Sequence, residues 1–570
     1  MDALWMAEAL LVGGTVFASA ATGLAAVVAW LAGSLGPAIG SLSLVAGGIA
    51  GVLAARSCHR GGRAAPGSGA RSRLWEGLAL AAFAAVSLRQ FGWIVFERGG
   101  SLLTLVPNNY GDLPLHWTYV NYLAGGASFW PGNPILTHER LRYPFGVDLL
   151  TAVFVQLGAR LPVLLPVMGL AGAALTALAL RAWGGAFAVA GFLFAGGLAG
   201  LQVLATGELR DYQDAVAWKS LYVALLVPQR GFLLALPAGL LLLWSWRRRL
   251  VRRERAEGLP PWVEGIVWGV LPLVHLHTFL FVSVVFAAWA VAGRRVREAL
   301  PTLAWAAVPA TWAVWQVTDR FRAASLVGWR PGWMIGGEGP FLFLLLNFGL
   351  FLPLALLALC RAVIGRHREE ILVLAPPLVV FAALFLVKLA PWEWDNTKVM
   401  LWCYVAALPA VFDLALARAW PWVRAIAVVV LFFSGAVSVL GASLGGGSRL
   451  EVLDLAEYDG VCRALAAVRT SRVATAQTFN HPVALCGHPI VAGYPGHLWS
   501  HGLDARDVEK RLGILMRGAP GWREEAKALG ASHVFWGVRE REAFPTSTRP
   551  WAESGAPVAS GPWGALYRVD

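Results

Sequence analysis

Charge is what this 570-residue chain has least of: Asp, Glu, Lys and Arg make up only 14% of it, against about 25% in a typical soluble protein. That shortage excludes an ordinary soluble enzyme. Cysteine is scarce as well, five in all, and no Cys-x-x-Cys pair occurs, so thiol redox chemistry has no residues to run on. A phosphate-binding glycine loop and a Ser, His, Asp order are also missing, which leaves nucleotide hydrolysis and esterase chemistry without support. Met1–Trp5 lacks the basic residues that open a cleavable signal peptide. The apolar stretch from Ala7 to Leu31 is long enough to span a membrane and reads as a retained first helix.

What the chain does have is apolar: 57% hydrophobic residues and a mean hydropathy of +0.60. Its 28 tryptophans suit a membrane boundary, where an indole can bury its body and keep one N–H wet. The net charge of +13 sits in short Arg runs between apolar stretches. It is therefore a topology signal, and no nucleic-acid partner is expected.

Spans of the length a bilayer requires can be placed at 6–33, 36–55, 74–97, 161–181, 184–204, 229–246, 301–317, 339–361, 371–388, 398–416 and 421–443. The stretch 263–293 is too long for one span. Pro272, His275 and His277 interrupt it, so it is expected to split into two short helices meeting near 274–277. Arg clusters at 56–73, 247–255, 294–297, 361–368 and 418–424 all fall on one side if the spans alternate strictly. By the positive-inside rule this puts the N-terminus in the cytoplasm and the C-terminus outside, with about thirteen spans.

Segment 446–570 differs in kind. Charges become common, helix-like stretches (450–468, 505–516, 520–529) alternate with strand-like runs (Val473–Gln477, Pro489–Ala492, His533–Gly537, Ala565–Val569), and the pattern reads as a small α/β domain. A Gly/Ser linker at 441–448 precedes it. Cys462 and Cys486 both lie there; a disulfide, if the domain is outside, and two buried free thiols fit the sequence equally well.

The segments assigned to the outer side, 98–145, about 205–228, 318–338 and 389–397, hold nearly all the unusual polar residues. In the first, Asp112 follows Asn108-Asn109-Tyr110-Gly111, and Leu115–Phe129 has the amphipathic, aromatic character of a helix lying along the interface. A carboxylate there is placed to meet a lipid-linked substrate. Asp112 can equally serve as a helix cap beside Pro114. An early acidic residue, an amphipathic outer loop ending in Tyr143-Pro144, many further spans and an outer α/β domain together resemble the GT-C superfamily of integral membrane glycosyltransferases. The resemblance covers most of the chain, with two spans added in front.

The resemblance implies transfer of a sugar from a polyprenyl-phosphate donor to an acceptor on the outer face, with Asp112 as general base. An acceptor hydroxyl loses its proton as it attacks the anomeric carbon, and a carboxylate within hydrogen-bond reach can take it. The donor carries its own leaving group, so single displacement with inversion follows. The Asp-x-Asp or Asp-Glu pair of metal-dependent, oligosaccharyltransferase-like variants is missing here. No cofactor is certain, and a divalent metal stays open.

The leaving phosphate needs cations. Candidates are Arg140 and Arg142 before Tyr143, Arg230 at the outer end of the sixth span, and Lys398 in the Pro391–Lys398 segment, where Asp395 or Glu393 is also available as its ion-pair partner. His116, four residues after Asp112, shares its helix face and can orient the carboxylate. On one regular helix His275 and His277 point about 200° apart and cannot share a metal; one of them is expected in the outer cavity, or both serve as a satisfied polar pair at the helix break. Glu208–Tyr212 with Lys219, and the aromatic turn Gly493–Gly502 with Trp499, offer further substrate contacts or are plain surface structure.

The chain is thus read as an α-helical polytopic membrane protein, GT-C-like, with a small C-terminal extracytoplasmic α/β domain. Its divisions are 1–73 (two extra N-terminal helices and a basic loop), 74–445 (transmembrane core with outer loop 98–145) and 446–570. It is placed in the cell (inner) membrane, with membrane lipids, a lipid-linked sugar donor and an unknown acceptor as partners. The rival readings are a transporter or lipid flippase without covalent chemistry, and a non-catalytic scaffold. Transporters place their polar residues near mid-membrane on paired broken helices, whereas here they gather in outer loops.

Overall fold

In lipid a backbone can satisfy its own polar groups as a helix, so long uncharged runs fold that way. In the computed structural model, which describes residues 3–58, 70–209, 216–252, 258–322, 326–444, 449–468 and 472–569, five helices are long and apolar enough to cross a membrane: Trp5–Ala32, Pro37–Ser57, Leu161–Leu193, Glu393–Leu416 and Pro421–Leu444. Pro340–Phe348 and Phe351–Ile364, bent by 91° at their junction, make a sixth if taken as one span. Gly146–Gln156, Pro261–Val274 and Leu276–Ala292 are apolar but shorter. The fold is mostly helical, with small sheets at one end.

Glycine and proline account for part of the shortfall of long helices against apolar stretches; Ala70–Gly92 and Val296–Val317 are long and unbroken but less apolar. Leu161–Leu193 kinks at Gly184 and Gly185, the latter at a φ of 62° that favours glycine, where two separate spans were expected. The stretch 263–293 breaks after Pro272, with His275 extended between Pro261–Val274 and Leu276–Ala292. The first two helices pack on each other through small residues: a Cβ on Gly51 would lie 2.6 Å from the Gly13 carbonyl oxygen. The helix Ala3–Ala32 also packs on Gly146–Gln156, Leu161–Leu193 and Pro261–Val274.

The C-terminal segment sits on the first outer loop. Strands Phe96–Arg98 and Ser101–Thr104 form a hairpin, and Leu450–Asp454 adds as a third, antiparallel strand with Ser101 opposite Asp454 and Thr104 opposite Leu450. Residues 450–454 are therefore strand, and the helix expected over 450–468 runs only from Leu455 to Ala466, with the Asp454 side chain accepting from the Glu457 amide at 2.8 Å as its cap. A second sheet orders Val473–Ala474, His533–Trp536, Gly564–Arg568 and Ala559–Gly561, with the first pair parallel. Cys462 and Cys486 are joined in a disulfide, their Cα atoms 5.3 Å apart. Asn121 bridges Tyr458 and the Leu485 carbonyl, and Arg472 donates to the Asn133 carbonyl, so loop and C-terminal segment form one packed body. Arg210, Asp211 and Tyr212 of the charged segment 208–212 lie outside the described residues, as do Arg60, Arg63, Arg253, Arg255 and positions 445–448 of the linker.

Candidate active site

Asp112 is the first residue of the helix Asp112–Ala124, whose N-cap is Gly111. The chain turns there because Pro107 opens a short turn and Gly111 places no side chain over the free amides. Among the described residues no hydrogen bond ties the Asp112 carboxylate down. Burial raises its pKa, while His116 and Lys398 pull it down and Asp395 pushes it up. These four side chains thus act on one another at one end of the bundle. Lys398 pairs with Asp395 at 3.0 Å, and His277 lies within electrostatic reach of both.

Behind this group sits a second, fully buried one. His116 Nδ1 donates to Asp148 at 2.9 Å, and Arg230 Nε donates to the other Asp148 oxygen at 3.3 Å, with its Nη2 donating to Thr151 Oγ1 at 2.8 Å. Because Asp148 takes the His116 Nδ1 proton, His116 does not orient Asp112 by that nitrogen. Arg230, spent on Asp148 and Thr151, braces the site from beneath.

Asp112, Tyr143, His277, Lys398, His497 and His501 are each half-buried. Partly open polar side chains brought together in this way are taken as the lining of a cleft. Tyr143 stacks on His501 at 4.9 Å and faces His116 at 6.1 Å. Burial pushes the His497 imidazole down to about 4 and the His501 imidazole to about 3, so both are neutral near pH 7.

Not every expected residue gathers here. Arg140 donates to Asp319 at 3.4 Å and to Gln316 at 3.1 Å, and Arg142 pairs with Glu139 and Asp319. Both guanidinium groups are turned to another carboxylate. His275 spends Nδ1 on Thr278, capping the helix Leu276–Ala292, and packs on Phe232 at 4.1 Å. Asp148 was missed in the sequence; its signal is a lone carboxylate in the apolar helix Gly146–Gln156. His497 and His501, which sequence left as part of a turn, join the cleft. Among the described residues no three His, Cys, Asp or Glu side chains group as a metal site, and no chemistry below passes through a metal.

Long apolar helices, a group of partly buried polar side chains and a C-terminal α/β segment packed over them define the class of this chain: a helical membrane protein. Among solved structures it is similar to the oligosaccharyltransferase of Archaeoglobus fulgidus in its apo form, with a TM-score of 0.50 and 13% identity over 83% of this chain and 71% of that one. The archaeal oligosaccharyltransferase AglB from the same organism, in complex with an inhibitory peptide and a dolichol-phosphate, aligns at 0.46 and 14% identity, over 82% and 70% of the two chains. The first likeness establishes a shared fold with that membrane protein. No protein-family model matches the chain, and no curated protein matches it in sequence.

Proposed function

We propose that this protein is an inverting glycosyltransferase that moves a sugar from a polyprenyl-phosphate donor to an acceptor at the outer membrane-water interface. The observation that carries the reading is Asp112: a carboxylate free of hydrogen bonds, with a raised pKa, opening into a cleft beside the cation Lys398. An acceptor hydroxyl oxygen forms the new bond to the anomeric carbon as the bond from that carbon to the phosphate oxygen breaks. The hydroxyl proton passes to Asp112, and the electron pair leaves with the polyprenyl phosphate. Lys398 meets the phosphate charge, and a pentose or hexose fits the chemistry equally.

The same reading places the N-terminus in the cytoplasm, about thirteen spans in the membrane, and residues 446–570 outside as a domain following a core of 74–445 and two added helices in 1–73. The Cys462–Cys486 disulfide supports the outer placement, since such bonds persist in oxidising compartments. Transfer from radiolabelled polyprenyl-phosphate sugars by the purified, detergent-solubilised protein tests the reading. Failure to bind any donor sinks it.

A further inference from the structure

One wall of the cleft beside Asp112 is aromatic. Tyr110, two residues before the base, packs edge-on against Phe479 at 4.8 Å. Phe479 meets Tyr494 at 6.1 Å, and Tyr494 meets His497 at 5.2 Å. His497 in turn lies close to the backbone of Gly111, the residue between Tyr110 and Asp112, so the ladder closes back on the base. Its rungs come from two distant parts of the chain, Tyr110 from the first loop and the other three from the C-terminal segment, and form no motif. Tyr494 keeps 42% of its surface exposed, so the ladder runs from the outer surface inward to the carboxylate.

The polar groups of the rungs themselves are uncharged, phenol hydroxyls of Tyr110 and Tyr494 and an imidazole that burial keeps neutral, with Glu451 and Arg539 the charges within reach of the Tyr110 hydroxyl. A wall of ring faces edged by neutral donors and acceptors matches a hydroxylated ring. The C–H face of a sugar packs on an aromatic face while its hydroxyls bond to imidazole and phenol. An extended peptide calls for backbone pairing partners or charged anchors, and none of the four rungs supplies one.

We propose that Tyr110, Phe479, Tyr494 and His497 form the acceptor subsite and that the acceptor is a carbohydrate. This rests on the glycosyl-transfer reading above. The test is saturation-transfer NMR on the full-length detergent-solubilised protein, with panels of gluco-, manno-, galacto- and arabino-oligosaccharides and of unmodified peptides, and with polyprenyl-phosphate binding followed on the same samples. At least one oligosaccharide is expected to receive saturation. Tyr494→Ala should weaken its binding about tenfold, about 1.4 kcal/mol, and Tyr494→Phe, which keeps the ring, less than about twofold. Because Tyr494 is exposed, its loss leaves the core intact, and retained donor binding verifies that. Saturation of peptides alone, of no oligosaccharide, or equal binding by Tyr494→Ala overturns the proposal. If glycans bind through Tyr494 while no donor binds, the subsite stands and the transferase reading falls.

Discussion

Two buried histidine–carboxylate pairs, alike in length, do opposite jobs. In the C-terminal segment His481 Nε2 meets Glu540 at 2.8 Å, both side chains wholly inaccessible. The Val483 amide donates to His481 Nδ1, and the Ala476 and Gly537 amides donate to the two Glu540 oxygens. Every polar atom is used, the ring proton is fixed on Nε2, and the pair ties three stretches of chain together. His116 and Asp148 at 2.9 Å look the same until the unused valences are counted. Asp148 is shared with Arg230, and among the described residues His116 Nε2 has no hydrogen-bond partner and, one helical turn away, Asp112 has none either. Burial does not distinguish a working site from a structural lock. Leftover hydrogen-bonding capacity facing a cleft does.

The largest effect that sharpens this contrast is at Asp112. Asp112→Asn keeps the shape and removes the base, so transfer should fall about 10²–10⁴-fold while donor binding, read by equilibrium partition of labelled lipid, stays near wild type. Retained transfer would reassign the base. Next comes Asp148→Asn, which strips the anion from a buried guanidinium and should cost about 3–5 kcal/mol, read as a lower midpoint of thermal unfolding, with activity lost in step. Glu540→Gln should cost less, about 1–3 kcal/mol, because it strands hydrogen bonds without stranding a buried guanidinium. The reverse order would erase the distinction. Burial pushes the Glu540 carboxyl up, but His481 and two amides outweigh it and hold it below its ordinary value. Its stabilisation is therefore complete above the unfolded value of about 4.3 and is lost as pH falls through the lower folded one. Acid titration of unfolding should show that loss in the wild type and not in Glu540→Gln.

Sequence carried the membrane class and much of the punctuation: Pro272 and His275 sit where the helix breaks, Asp112 stood out as a lone charge after a span, and Lys398 as one of a charged cluster at the mouth of another. It failed where the deciding partner is remote. Leu450–Asp454 fits both helical and strand periods locally, and pairing with Ser101–Thr104, across most of the chain, decides it. Arg140 and Arg142 have the right chemistry for phosphate, yet Asp319, far along the chain, takes both. Asp148 was overlooked beside the Tyr143-Pro144 motif, although a carboxylate within an apolar helix is itself a functional signal.

The smallest effect is a shift along the pH axis. Asp112 must be ionised to accept a proton, and burial raises its pKa, so the acid limb of kcat/KM should lie above the ordinary carboxylate range. Lys398 is one of the charges holding that rise in check, and Asp395 works against it. Replacing Lys398 by Met removes the restraint and releases Asp395 from its ion pair, so both changes push the same way. The acid limb should move to higher pH, on top of a lower maximum from the lost phosphate contact. A limb that stays in place while the maximum falls would mean that Lys398 touches only the donor and that the titrating base is not Asp112. That result would leave the cleft intact and move the chemistry to His116, whose open Nε2 is the next acceptor in reach.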